Sequence, residues 1–213
     1  MILKFPSVEN ADPISGLLAV GGDLEVGSLE MAYRNGIFPW PVEDEPLLWF
    51  APVKRAILEF KDLRVSSRLQ RYLNKSHFEF KINHDFAGVI NGCATSKNRG
   101  KQNGTWITGD MIHAYIDFHR AGFAQSFETY NSDGRLVGGL YGVLINKYFA
   151  GESMFYLESH ASKFALIKTV QHLKSMGLTW MDIQMLTPLL KSFGAKEIPR
   201  RKFMEKLRQA VTK

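Results

Sequence analysis

The chain has 213 residues, and 27 Lys and Arg against 21 Asp and Glu give a formal net charge of +6 at pH 7. A hydrophobic share of 45% and a charged share of 23% are typical of a globular protein, which excludes disordered, collagen-like and disulfide-stapled chains. The sequence has no apolar run long enough for a membrane span and no recognisable secretory signal, and its single cysteine, Cys93, can form no internal disulfide. We therefore expect a cytoplasmic protein with no membrane partner.

Charge is unevenly distributed along the sequence. Residues 1–63 carry a net charge of −5, whereas residues 64–213 carry +11. A basic body indicates a polyanionic partner such as a nucleic acid, and an acidic lobe indicates a cationic one. The alternative is that solvated surface charge simply varies from one segment to the next.

The first sixty residues are rich in Gly and Pro, so we expect turns to dominate there. One helix is predicted in this segment, with Ser28 as its N-cap and Gly36 in the left-handed position after its last turn. We predict a small irregular α+β N-terminal domain over residues 1–63 and a larger domain over residues 64–213.

The larger domain begins with a predicted helix. Ser67 and Gln70 form a capping box, and the helix should run to about Lys75. Residues 77–82 alternate apolar and polar side chains as a half-buried strand does, and residues 84–93 predict a short helix.

The middle of the chain combines a basic loop, a helix and a meander of strands. The loop over residues 96–104 is polar and carries three positive charges. Thr108 is predicted to cap a helix over Gly109–Arg120, and three strands joined by short turns follow, over residues 124–130, 135–143 and 148–155.

The last part of the chain returns to helices. A long helix is predicted over residues 161–175, followed by a strand over residues 178–184. Thr187 and Pro188 suit the N-cap and first position of a short helix, and a basic helix follows Pro199. Strands in sequence followed by a helix and a further strand predict an α+β fold, a mixed sheet with helices packed on it.

Acidic residues inside two of the predicted strands are the first candidates for chemistry. Asp182 and Gln184 are two residues apart, so an extended strand would point them to the same face, and Glu152 lies in an otherwise apolar strand. A buried unpaired carboxylate is costly, which points to a functional site or to a structural ion pair with an arginine. Both alternatives stand.

The six histidines show no metal-ligand spacing, so no metal site is predicted.

Tryptophans in loops are a second group of candidates. Trp40 and Trp49 lie in Pro-flanked loops, and Trp106 lies beside the basic loop. A loop tryptophan can stack on a base or ring of a ligand, or it can pin its loop to the core.

Seven segments together resemble the bacterial leucyl/phenylalanyl-tRNA–protein transferases. They occur in order over nearly the whole chain: GLLAVGGDL (16–24), YRNGIFPW (33–40), GTWIT (104–108), LVGGLYGV (136–143), GESMF (151–155), DIQMLTPLLKSFGA (182–195) and EIPRR (197–201). The resemblance implies an N-acetyltransferase (GNAT)-like fold for the larger domain. It also implies transfer of leucine or phenylalanine from an aminoacyl-tRNA to proteins with an N-terminal Lys or Arg, which marks them for degradation by the N-end rule pathway.

The resemblance also implies roles for individual residues. Asp182 and Gln184 match the proposed catalytic pair, and Glu152, with Asp182, matches the acceptor site. The tRNA 3′ end and the pocket for the transferred side chain fall on Trp40, Trp106, Leu140, Phe149, Met154, Leu166 and Met181. No cofactor is implied, and the segment after Glu152 lacks the Gly-rich turn that holds pyrophosphate in coenzyme A users.

Basic residues are our candidates for contacts with tRNA phosphates, which bind without reading sequence. They are Arg64, Arg68, Arg71, Lys75, Lys97, Arg99 and Lys101.

We expect a monomer. In the expected mechanism, Asp182 polarises the amide of Gln184, and the carbonyl of Gln184 aligns the attacking amine. The alternatives are an acyl-coenzyme A-dependent N-acyltransferase, a tRNA-dependent transferase acting on a cell-wall precursor, and a non-catalytic tRNA-binding module.

Overall fold

The computed structural model describes residues 1–41, 45–96 and 107–212. The predicted tRNA contacts Lys97, Arg99 and Lys101 and the predicted ligand contact Trp106 lie outside the described residues. The described helices are α1 (Val26–Arg34), α2 (Ser67–Lys75), α3 (Phe86–Thr95), α4 (Gly109–Arg120), α5 (Ala161–Ser175), α6 (Pro188–Ser192) and α7 (Arg200–Val211).

The strands form two sheets. They are β1 (Leu17–Val20), β2 (Phe38–Pro39), β3 (Leu48–Phe50), β4 (Lys54–Glu59), β5 (Glu79–Ile82), β6 (Ala124–Tyr130), β7 (Leu136–Ile145), β8 (Tyr148–Tyr156), β9 (Trp180–Asp182) and β10 (Lys196–Pro199). The small sheet has the order β1-β3-β2, and the large sheet has the order β10-β4-β9-β8-β7-β6-β5. Strands β8 and β9 run parallel, and the other neighbouring pairs among the described strands are antiparallel.

Helices cover both faces of the large sheet. Because side chains alternate along a strand, Leu140 and Phe149 face one core, while Tyr141 and Ala150 face the other. The first core is closed by α2 and α5, and the second by α1, α3, α4 and α7. The structure therefore confirms the predicted α+β class, a mixed sheet with packed helices, and a small α+β unit of β1–β3 and α1 at the N-terminus.

Strong capping signals predicted several element bounds correctly. Helix α4 begins after Thr108, whose hydroxyl accepts a hydrogen bond from the Met111 N–H, and both α4 and α5 have the predicted limits. Two caps were wrong. Ser66, not Ser67, caps α2, and Ser28 lies inside α1, where its hydroxyl hydrogen-bonds Asp23 and the Ile2 N–H instead.

Five strands were missed because the Gly- and Pro-rich start and the segment before α7 were assigned to turns or left unassigned. The missed strands are β1, β2, β3, β4 and β10. In the small sheet, Trp49 is fully buried, packs edge-on against Phe5 and donates to the Gly21 carbonyl at 2.9 Å. The predicted loop position of this tryptophan was wrong, because it lies in β3, but its role in the core is one of the two alternatives left open.

The domain boundary near residues 60–64 stays a prediction. Strand β4 precedes that boundary but pairs inside the large sheet, between β10 and β9. Among the described residues, no helix is both long and apolar enough to cross a membrane, and no group of three His, Cys, Asp or Glu side chains is placed to hold a metal ion.

Candidate active site

Two irregularities at the centre of the large sheet create the site. Strands β8 and β9 share one registered pair, Ala150 with Asp182, where β9 ends while β8 continues to Tyr156. In β8, Gly151 pairs with Gly142 and Ser153 pairs with Tyr141, which leaves Glu152 as the extra residue of a β-bulge. Gly142 permits this bulge, because a Cβ there would lie 2.3 Å from the Ala150 carbonyl oxygen.

Between β8 and the segment that follows β9 lies a cavity of about 420 Å³ with a largely apolar wall. Glu152 and Gln184 are among its polar lining residues. The lining residues are Trp40, Leu140, Tyr141, Gly151, Glu152, Ser153, Met154, Leu166, Met181, Ile183, Gln184, Met185, Thr187, Leu189 and Leu190. An apolar cavity with a few convergent polar groups is the usual form of a small-ligand or active site.

Asp182 lies beneath this cavity rather than in its wall. Its side chain is fully buried and forms a bidentate ion pair with Arg55, with N···O distances of 2.8 and 2.7 Å. The Tyr148 hydroxyl donates to the same carboxylate at 2.6 Å. The structural ion pair considered for this aspartate is therefore present. Direct acceptor binding by Asp182, expected from the sequence, does not fit a carboxylate with no exposed surface.

Gln184 reaches the cavity through an unusual backbone conformation. Its φ is +52°, in the left-handed region, and its N–H donates to Asp182 Oδ1 at 2.9 Å. Its Nε2 donates to Glu152 Oε1 at 2.7 Å, so the amide oxygen remains available to a ligand. Strand β9 ends at Asp182, so the predicted same-face pairing within one strand was wrong, although both residues belong to one hydrogen-bonded network.

Glu152 is a partly buried residue whose carboxyl has a raised pKa. Burial is the main cause and raises the pKa to about 8; the negative charge of Asp182 adds to it, against a hydrogen bond from Tyr33 that lowers it. The Tyr33 hydroxyl in turn hydrogen-bonds the hydroxyl of Tyr115, and both tyrosines are fully buried. A chain of two buried tyrosines, neither of which was predicted to belong to the site, thus supports the Glu152 carboxyl.

The pH dependence of stability should report this buried carboxyl. Because its folded pKa of about 8 exceeds the ordinary 4.5, the native state keeps a proton that the unfolded chain has released. This contribution to stability is complete below pH 4.5 and is lost as the pH rises to 8. We expect the stability of the unaltered protein to fall relative to Glu152→Gln across that window, by at most about 1.4 kcal/mol per pH unit.

Thermal melts of both proteins from pH 5 to pH 9 measure this difference. The control is Glu205→Gln, which removes an exposed carboxyl on α7 and should give a difference that does not change over the same range. A constant difference for Glu152→Gln would contradict the raised pKa.

Most residues predicted for the side-chain pocket come together. Trp40, Leu140, Met154, Leu166 and Met181 all line the cavity. Phe149 does not; it is fully buried behind the wall, against Phe127 at a ring distance of 5.6 Å. The apolar lining residues that follow β9 were not predicted: Ile183, Met185, Leu189 and Leu190. Ile183 was assigned to a strand that ran on to residue 184, and the other three, at or before the predicted short helix, were given no role.

The predicted phosphate contacts in the described part of the chain are exposed and lie on or just before one helix. They are Arg64, Arg68, Arg71 and Lys75. The apolar side of α2 packs on the same core as α5, and the rings of Tyr72 on α2 and His160 before α5 are 4.6 Å apart. Helix α5 contributes Leu166 to the cavity wall. The cations of α2 therefore lie beside a helix that contributes to the cavity.

The geometry, an apolar cavity whose wall includes the side chains of Gln184 and Glu152, is of the kind that enzyme active sites have. Residues 57–208 match the family model for leucyl/phenylalanyl-tRNA protein transferase, and residues 22–53 match the model for the N-terminal domain of the same enzymes. The chain belongs to the leucyl/phenylalanyl-tRNA protein transferase family.

Curated relatives agree with this assignment over nearly the full length. A leucyl/phenylalanyl-tRNA–protein transferase from Colwellia psychrerythraea is 45% identical over 217 residues, covering 99% of this chain and 89% of the relative. One from Shewanella piezotolerans is 48% identical over 207 residues, covering 96% and 86%.

Solved structures are more distant. L-PGS from Bacillus licheniformis has a TM-score of 0.44 at 12% identity, covering 76% of this chain and 51% of that one. A ribosomal-protein-alanine N-acetyltransferase from Brucella melitensis has a TM-score of 0.35 at 14% identity, covering 61% and 90%. Because both TM-scores are below 0.5, these likenesses assign no role to this chain.

Proposed function

We infer that this protein transfers leucine or phenylalanine from an aminoacyl-tRNA to the N-terminal residue of an acceptor protein, and that this residue is Lys or Arg. The observation that carries the proposal is the apolar cavity that ends at the side chains of Gln184 and Glu152. Acceptors so modified would enter N-end rule degradation. The expected cytoplasmic location and monomeric state stay predictions.

The cavity accounts for the choice of donor. Met154 and Met181 give it an adaptable, unbranched wall that suits leucine and phenylalanine and could also take methionine. An apolar pocket discriminates by only about 1–3 kcal/mol per methylene, so overlapping substrates are expected. Trp40, at the edge of the same cavity, offers a ring on which the terminal adenine can stack.

The chemistry requires positioning more than strong base catalysis. An aminoacyl ester is already activated, and an α-amine with a pKa of roughly 7.7–8.0 is partly neutral at pH 7. The Gln184 carbonyl accepts a hydrogen bond from this amine, because its NH₂ group is engaged by Glu152. The amine nitrogen then bonds to the ester carbon, the bond from that carbon to the ribose oxygen breaks, and this oxygen leaves as a hydroxyl with a proton from the amine.

Glu152 explains the preference for an acceptor with a positively charged N-terminal residue. Among the described residues it is the one carboxyl that lines the cavity, and a cation placed beside it would favour its ionised form by lowering its pKa. An N-terminal Lys or Arg would therefore be held by charge complementarity. Asp182, paired with Arg55, acts on the reaction through Gln184 rather than on the acceptor.

Transfer of labelled leucine from Leu-tRNA to a peptide tests the proposal. Peptides that differ only in an N-terminal Arg, Lys, Ala or Glu should separate by acceptor charge, with Arg and Lys preferred and no coenzyme A required. If leucine is transferred to none of the four peptides, the proposed transferase activity is refuted. Equal transfer to all four would refute the acceptor preference and leave the enzyme intact.

Binding of tRNA should depend on the exposed cations of α2. Replacing Arg68 and Arg71 together by Gln is expected to weaken binding for any tRNA sequence and to reduce the slope of log affinity against log salt by about 2. Arg208→Gln, on the exposed side of α7, is the matched control. Filter binding at several salt concentrations gives the slope for each protein. A slope for the double variant equal to that of the unaltered protein would exclude Arg68 and Arg71 from the phosphate contacts.

A further inference from the structure

Arg55 is a buried cation that neither the cavity nor the acceptor chemistry requires directly. It lies on β4, its side chain is 1% exposed, and its Nε and Nη2 donate to the two oxygens of Asp182. With the Tyr148 hydroxyl as a third donor, the carboxylate of Asp182 is fixed in one orientation.

Two further parts of the chain, residues 36–38 and α7, hold the guanidinium of Arg55 in place. It lies over the ring of Phe38 at 4.4 Å and over the ring of Phe203 at 4.7 Å, so rings from β2 and α7 contact it. Its Nη1 also donates to the Gly36 carbonyl at 3.2 Å. A planar guanidinium suits this combination of stacked rings and a bidentate carboxylate, whereas a lysine ammonium does not.

The orientation of Asp182 determines the backbone of Gln184. Oδ1 of Asp182 accepts the Gln184 N–H at 2.9 Å, and Gln184 has a left-handed φ of +52°, which non-glycine residues seldom adopt. Such a conformation persists where surrounding contacts over-determine it. Asp182 therefore supports the backbone of Gln184, while the side-chain amide of Gln184 bonds to Glu152.

We propose that Arg55 is a positioning residue for the catalytic amide and that it acts through Asp182 on the backbone of Gln184. This inference rests on the proposed function for the identity of the reaction. It assigns Asp182 the task of holding the turn after β9, and it gives Glu152 the task of orienting the Gln184 side chain.

Arg55→Lys tests the proposal, because it keeps the charge and loses the two parallel hydrogen bonds. We expect kcat to fall by about tenfold or more, since small misplacements of catalytic groups are costly, while the KM for aminoacyl-tRNA stays within about twofold. Hydrogen exchange at the Gln184 N–H should accelerate. Tyr148→Phe, which keeps its buried ring, should change kcat and exchange in the same directions and serves if Arg55→Lys does not fold.

Ile90→Ala is the control for general loss of stability, since Ile90 is fully buried on α3 and does not line the cavity. Its kcat and its Gln184 exchange should stay close to those of the unaltered protein. The proposal is overturned if Arg55→Lys and Tyr148→Phe match Ile90→Ala in both measurements. Failure of the unaltered protein to transfer leucine would refute the proposed function instead, and the exchange measurement would still decide the role of Arg55.

Discussion

Removal of the Gln184 amide is expected to lower kcat by at least about tenfold, with tRNA affinity unchanged within about twofold. Gln184 lines the cavity, and its NH₂ group is already engaged by Glu152, which leaves the amide oxygen to accept a hydrogen bond. Gln184→Ala would therefore leave the attacking amine without its acceptor, while the apolar wall and the cations of α2 remain. Single-turnover transfer together with filter binding separates the two quantities.

Gln184→Asn separates the effect of the side-chain amide on catalysis from the effect of the left-handed backbone conformation. Asparagine tolerates the left-handed conformation better than most residues, so the turn after β9 should persist while the amide is drawn back by one methylene. We expect Gln184→Asn also to lose activity. Gln171→Ala, on the exposed side of α5, should have no effect. Normal turnover by both Gln184 variants would show that this amide does not take part in catalysis.

The largest effect on stability should come from Asp182→Ala. The substitution would leave the Arg55 guanidinium buried without its counter-charge, and breaking a buried pair on one side costs about 3–5 kcal/mol. Natural domains are stable by about 5–15 kcal/mol, so this variant should lie close to unfolding. Urea denaturation at neutral pH gives the free energy of unfolding directly.

The double variant Arg55→Met with Asp182→Leu is the control for the buried charge. Replacing both partners of a buried ion pair with apolar residues is often neutral, so the double variant should recover part of the stability that Asp182→Ala loses. Like Asp182→Ala, it should have lost activity, because in both variants the Gln184 N–H loses its acceptor. A free energy of unfolding for Asp182→Ala equal to that of the unaltered protein would contradict the ion pair.

Local signals predicted much of the fold. The hydroxyl of Thr108 and the alternation over residues 77–82 each act within a few residues, and the structure has α4 and β5 where they were predicted. Strand β4 was missed although it is largely buried, because the surrounding Pro and Gly residues suggested turns and its partners β9 and β10 lie far along the chain.

The site shows the same division between local and distant information. The lining residues Leu140, Met154 and Met181 came from the family resemblance, and the structure brings them together. Arg55 could not be identified as the partner of Asp182, because 127 residues separate them. The left-handed turn at Gln184 was also missed, since a periodicity of two assumes that the strand continues past Asp182.

We expect the cavity beside Gln184 and Glu152 to receive the aminoacyl end of the tRNA. A crystal structure of this protein with phenylalanine linked to adenosine by a stable amide would show where that end binds. The phenyl ring should lie between Met154 and Met181, with the carbonyl carbon near the Gln184 amide oxygen. A ligand bound elsewhere on the protein, with this cavity empty, would refute this binding site.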